Sequence, residues 1–232
     1  MTLPKIVTPT YELEIPSSKE KITYRPFLVK EEKILLLAQE AEKDSEMLLA
    51  LKQIINNCTY EKVEVEKLPM FDLEYIFLQI RAKSVGEVVD LKLLCEDDGE
   101  TYADVQVNLD EVDVEFTEGH SNSIQLTDEV GIIMSYPQIN MMDLSSDSGT
   151  ENVFGIIKNS INQITEGETV YERADFTEKD INEFLDSLTT EHFKLIQEFF
   201  ETMPRLRHEV KFKNPKTKKQ NKITLEGLNS FF

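Results

Sequence analysis

The chain has 232 residues, with 44 acidic against 25 basic side chains, a formal charge of −19 and 40% apolar residues. That length builds one large domain or two small ones with a full core, and the charge argues against general binding to nucleic acid or anionic membrane and for partners with basic surfaces. Cys58 and Cys95 make neither a disulfide framework nor metal spacing and are expected to be reduced and buried. The start, Met-Thr-Leu-Pro-Lys, lacks a signal-peptide core, and no apolar run approaches the ~18 residues of a membrane span, so a cytoplasmic protein is expected.

Tyr11, Leu13 and Ile15 alternate with polar residues, and Pro16-Ser17-Ser18 leads to a second short strand through Ile22 and Tyr24, which predicts a hairpin. Between Pro26 and Pro69 there is no Pro or Gly. One long helix from about Lys30 to Asn56 is expected, with Ile34, Leu37, Ala41, Leu48, Leu51 and Ile55 buried and Glu31, Glu32, Glu40, Glu42 and Asp44 wet. Val63 and Val65 fit a short strand or an extended lead into the next helix. That helix opens at Pro69, carries Met70, Leu73, Ile76, Phe77 and Ile80 on one stripe with Asp72, Glu74, Gln79, Arg81 and Lys83 elsewhere, and ends at Gly86.

The period then changes to two. Val89, Leu91, Leu93 and Cys95 share a strand face, Asp98-Gly99 makes a tight turn, and Ala103, Val105, Val107 and Leu109 return. Apolar positions next shift to Val112, Val114 and Phe116, which requires a break near Asp110-Glu111. Ile124, Leu126, Val130, Ile132 and Met134 read as one further strand before Pro137. Beyond it, Ser145 to Gly149 resembles a linker, Val153, Ile157, Ile161 and Ile164 mark an amphipathic helix, Thr177 to Asp180 a capping box, and Phe193, Ile196, Phe199 and Phe200 a helix ended by Pro204. A last hairpin spans His208 to Lys213 and Asn221 to Leu225, similar in outline to the one from Val89 to Leu109. The expected organisation is α+β, with antiparallel hairpins and small sheets packed against long amphipathic helices. Residues 1–137 form its α+β domain, 138–204 a helical subdomain, and 205–232 a hairpin and Phe-Phe tail returning to the first domain.

Few residues point to chemistry. Glu96, Asp97, Asp98 and Glu100 invite a hard cation, but an exposed hairpin tip explains them as well. Asp143 to Glu151 imitates a calcium loop and fails, with Ser148 at the sixth position and Phe154 at the twelfth. Neither cysteine has a local signature pairing it with His120, His192 or His208, and there is no phosphate loop, H-E-x-x-H, G-x-S-x-G or C-x-x-C. No cofactor is expected. Partner contacts are expected from the apolar stretch with Ile132, Ile133, Met134 and Tyr136, while Leu228, Phe231 and Phe232 are expected to pack on their own domain first, or else on a partner. The basic hairpin adds Arg205, Arg207, Lys211 and Lys213. From Arg205 to Lys222 there are eight basic residues and one acid, leaving 17 basic against 43 acidic elsewhere. That acidic remainder and the scarcity of aromatics argue against nucleic acid there.

Three stretches together carry a resemblance: Ile22-Thr-Tyr-Arg-Pro-Phe-Leu-Val-Lys-Glu-Glu-Lys, Leu68-Pro-Met-Phe-Asp-Leu-Glu-Tyr-Ile-Phe-Leu-Gln-Ile-Arg-Ala-Lys-Ser-Val-Gly-Glu, and the ending Ile223-Thr-Leu-Glu-Gly-Leu-Asn-Ser-Phe-Phe. The chain resembles the T4-type phage baseplate hub family, small acidic hub subunits and hub assembly chaperones. The match is weaker from Gln138 to Pro204. Members of that family carry paired cysteines at the hairpin tips in the manner of a zinc ribbon. Here only Cys95 is kept and Asn214-Pro-Lys-Thr-Lys-Lys replaces the second pair, so no metal site is carried over.

The resemblance implies a non-enzymatic protein that binds other baseplate hub and tail proteins, with self-association an alternative, and neither membrane nor nucleic acid as a partner. It would act in the host cytoplasm during assembly or persist in the virion tail. The acidic surface favours a chaperone-like assembly protein over a permanent hub subunit. The rival from another class, a metal-dependent hydrolase, would draw on Asp143, Asp147, Glu151 and His120.

Overall fold

A computed structural model describes residues 6–41, 43–141 and 150–231. The fold is α+β, and the chain divides into two compact units, Met1–Glu115 with Arg205–Phe232, and Phe116–Pro204. Among the described residues no helix is long and apolar enough to cross a membrane.

The first unit opens with the expected hairpin, β1 (Tyr11–Glu14) against β2 (Lys21–Tyr24), in register Tyr11 to Tyr24. The long helix expected next is two, α1 (Val29–Ala41) and α2 (Asp44–Cys58), because Lys43 takes extended backbone at φ −120° and ψ 128°. Leu37 and Ala41, expected in its buried stripe, are exposed, while Glu31, expected wet, is buried. Val65–Lys67 is a single 3₁₀ turn rather than a strand. It leads into α3 (Met70–Val85), with Pro69 at the N-cap.

Helix α3 is the centre of this unit. Phe71, Leu73, Ile76, Phe77, Leu78, Ile80 and Ala82 are all buried, a spread no single stripe accounts for, and Asp72, expected to face water, is buried with them. A helix apolar all round is enclosed on several sides. Gly86 follows at φ +139°, and β3 (Val88–Leu94) pairs with β4 (Tyr102–Asn108), Leu91 opposite Val105. A 3₁₀ turn at Leu109–Glu111 makes the expected break before β5 (Asp113–Glu115).

The second unit begins at Phe116 rather than at Gln138. Its first strand signal is two strands, β6 (Ser123–Gln125) and β7 (Val130–Met134), paired with Ile124 opposite Ile132. Gly131 lies where a Cβ would come within 2.9 Å of the Thr165 hydroxyl. Helix α4 (Thr150–Ser160) stops before Ile161, and the chain continues as β8 (Ile161–Glu166) and β9 (Thr169–Glu172), completing a sheet of order β6-β7-β8-β9. The expected helix through Ile161 and Ile164 is therefore corrected, and the segment expected as a helical subdomain carries β8 and β9 beside its helices. A register shift in β8 opposes Ile133 to Gln163 but Met134 to Ile161, so one residue is extra and isoleucines three apart imitate helical spacing within a strand.

Helices α5 (Glu178–Asp186) and α6 (Thr190–Thr202) complete the unit. Thr177 and Asp180 form the predicted capping box, and Thr189 with His192 forms another. Ile124, Ile132, Met134, Ile157, Ile161, Ile181, Ile196 and Phe199 make the core of this unit.

The chain then rejoins the first unit. Strand β10 (Arg205–Lys213) lies between β11 (Gln220–Glu226) and β5, with Leu206 opposite Val114 and Val210 opposite Ile223. A closing 3₁₀ turn, Leu228–Phe231, buries both of its end residues.

Candidate functional site

The stretches that carry the resemblance are joints of the first unit. Arg25 and Glu31 form a buried ion pair, Nη2 to Oε1 3.0 Å. Glu31 Oε2 also accepts the backbone N–H of Leu28 at 2.9 Å, just before α1, as the third residue of a capping box does. Arg25 donates further to the Pro26 carbonyl at 2.9 Å and approaches the Cys58 sulfur at 3.7 Å. Burial works to raise the Glu31 pKa, but the hydrogen bonds from Arg25, Leu28 and Lys30 outweigh it and hold the carboxyl below its usual range. Burial, against the opposing charge of Arg25, pushes the Cys58 thiol up to about 12, so it is inert as a nucleophile.

Helix α3 supplies two more joints. Asp72 accepts the backbone N–H of Ser17 at 3.1 Å and the Ser17 hydroxyl, fixing the β1–β2 turn. Glu74 accepts the backbone N–H of Leu228 at 3.3 Å, fixing the C-terminal turn after Gly227, whose φ is +70°. Burial raises the pKa of both carboxyls.

The hairpin tips of β3–β4 and β10–β11 meet. Gly99 donates to the Cys95 carbonyl at 2.9 Å and Lys218 to the Asn214 carbonyl at 3.0 Å, with left-handed φ of +68° and +64° at the two donors. Cys95 with Asp98, and Asn214 with Thr217, thus take like places in the two turns, where the resemblance implies paired metal ligands. The donors do not fit zinc. Asp98 is committed to Thr101, accepting its hydroxyl at 2.7 Å and its N–H at 3.0 Å. The side-chain Oδ1 of Asn214 accepts the N–H groups of Lys216 at 2.7 Å and Thr217 at 3.1 Å. That leaves one thiol with an amide and a hydroxyl. Asp97 joins the tips instead, accepting from Asn214 Nδ2 at 2.8 Å, Asn221 Nδ2 at 2.9 Å and the Thr217 hydroxyl. Those bonds, led by Thr217 and Asn214, hold its carboxyl below the usual range.

The residues expected to touch partners fall in both units. Ile132 and Met134 are core of the second unit, Ile133 and Tyr136 are half-buried, and Leu228 and Phe231 are buried in the first unit. Phe232, Asp143 and Asp147 lie outside the described residues, as does the Glu151 side chain. Arg205 and Arg207 pair with Glu226, the latter Nη2 to Oε2 at 2.8 Å, and Arg207 reaches Glu115 at 3.8 Å. Lys211 pairs with Glu209 at 2.9 Å, while Lys213 is exposed.

Sequence reading missed the outward side of α1. Val29 is 79% exposed, Leu36 54% and Leu37 55%. The signal was present in Leu35-Leu36-Leu37. Consecutive helical residues are ~100° apart, so three of them sweep ~200° of the surface, more than one packing face covers.

In the second unit, a cavity of about 340 Å³ is lined by His120, Glu118, Glu198, Ser121 and Phe199 among others. His120 Nδ1 meets the Thr202 hydroxyl at 2.9 Å, and its ring lies 5.7 Å from Tyr136 and 5.2 Å from Phe199. Its buried Nε2 has no hydrogen-bond partner among the described residues, and burial lowers its pKa. Among the described residues no three His, Cys, Asp or Glu side chains converge to hold a metal ion.

No curated protein and no solved structure matches the chain. The model of one family, described as T4 bacteriophage base plate protein, matches residues 8–232 and so takes in the Arg25–Glu31, Asp72–Ser17 and Glu74–Leu228 joints. The chain belongs to that family, and its role is in the phage baseplate, in contact with other tail proteins.

Proposed function

We propose that this is a non-enzymatic, chaperone-like assembly protein of the baseplate hub, which holds hub components while the contractile tail is built. The observation that carries the reading is the family match over residues 8–232 on a chain of net charge −19, and the uncovered apolar side of α1 adds to it. Exposed leucines bind a partner, and strong like charge keeps such a protein from aggregating before the partner arrives. Permanent incorporation as a hub subunit is the second reading, supported by the same surface. Co-expression with each hub protein of the same phage, followed by size-exclusion chromatography and mass spectrometry of purified virions, separates the two. A complex with a hub protein and absence from mature particles supports the chaperone. Fixed stoichiometry in the virion makes the protein a structural subunit, and binding to no tail protein overturns both readings.

A further inference from the structure

We propose that the outward side of α1, formed by Leu36, Leu37 and Val29, seats an amphipathic segment of another tail protein whose apolar face is flanked by Lys or Arg. This rests on the assembly reading above and names where the partner sits and what its surface carries.

The inward side of α1 is already used. Glu31 and Ala38 are buried there, two turns apart, and Ile34 and Leu35 are half-buried beside them. Leu36 and Leu37 lie on the opposite side, left uncovered by the described residues, and Val29 lies seven positions before Leu36 on the same side. Isolated exposed apolar residues mean little, but Leu36 and Leu37 are adjacent on one short helix, and Val29 extends the same side two turns earlier with Glu32 and Lys33 between them.

Charge says what covers it. The last turn of α1 has no basic residue, so the negative end of its backbone dipole is uncompensated. Glu40 lies in that turn and Glu46 is exposed beyond it, with Lys43 the base between them and Lys33 on the outward side of the helix itself. An apolar face ending in Lys or Arg complements this arrangement. A second copy of the chain would bring its own −19, and at that charge self-repulsion opposes association.

The test uses the full chain co-expressed with each baseplate protein of the same phage. Leu36→Glu/Leu37→Glu changes only exposed positions, so wild-type circular dichroism and melting are expected, with binding weakened at least about tenfold. Glu40→Lys/Glu46→Lys is expected to weaken the same complex several-fold and to flatten its salt dependence. Hydrogen exchange on the wild-type complex reads the seat directly, through added protection across residues 29–41, whatever the variants do. Wild-type binding that survives Leu36→Glu/Leu37→Glu, or a complex without that protection, overturns the seat and leaves the functional reading standing. A wild-type homodimer that the leucine variant makes monomeric overturns the choice of partner. Failure of the wild type to bind any tail protein overturns both.

Discussion

Replacing Glu31 by Ala tests whether the Arg25–Glu31 pair holds the first unit together. The substitution leaves the Arg25 guanidinium, whose side chain is 9% exposed, without its anion, and strips the backbone N–H of Leu28 of its acceptor. Removing one partner of a buried pair costs about 3–5 kcal/mol. The lower end applies, because Arg25 keeps the Pro26 carbonyl. With a urea m-value of about 3 kcal/mol/M for a chain of this size, 3 kcal/mol moves the unfolding midpoint down by about 1 M. The melting temperature falls by about 6–12 °C. Urea titration followed by circular dichroism reads this, and a midpoint shift below about 0.3 M refutes the reasoning. Arg25→Met/Glu31→Met supplies the internal control. Removing both charges while keeping volume restores most of the loss if the unpaired charge is the cause, and restores nothing if Glu31 matters only as the α1 cap.

Asn214→Ala at the joined hairpin tips strands the N–H groups of Lys216 and Thr217 and is expected to cost about 1–3 kcal/mol, read in the same titration, while EDTA leaves the wild-type melt unchanged. Because the Asp97 pKa is depressed, its contribution is present above the ordinary 3.8 and lost as pH falls through its folded value. An acid melt therefore shows a steeper loss for wild type than for Asp97→Asn. In the second unit the His120 pKa lies below 6.5, so folding favours the neutral ring, and stability is lost as pH drops below 6.5. His120→Phe keeps a ring in the stack and removes the orphaned nitrogen, and is expected to flatten the melting temperature between pH 7 and the acid limb. Phe231→Ala empties a fully buried site and is expected to cost about 3–5 kcal/mol, with binding to a tail protein unchanged once folding is matched by lowering the temperature.

Strong local signals were legible in the sequence. The alternation at Val89 to Leu109, the Asp98-Gly99 turn, the phase change at Asp110-Glu111 and the Thr177 box all specify their geometry within a few residues, and each was read correctly. Helix α3 was recognised by its period, and the family by motifs spread along the chain. Misreadings arose where one local pattern served two tertiary arrangements. Isoleucines three apart fit a helix turn or a bulged strand, and only pairing of β8 with β7 selects the strand. An apolar stripe from Ile34 to Ile55 fits one helix or two, and only the extended Lys43 divides it. Apolar stretches advertise burial without saying by what. Tyr136 is half-buried in the second unit and Phe231 is buried in the first, the placement expected first for the C-terminal aromatics, while Leu36 and Leu37 stayed outside. The sequence by itself determined the fold class and the hairpins, because these follow from short-range periodicity and turn chemistry, and it carried the family in motifs that resemble other members. Only the tertiary structure decided which carboxylates became internal joints and which leucines face outward, because burial is a property of what the rest of the chain covers.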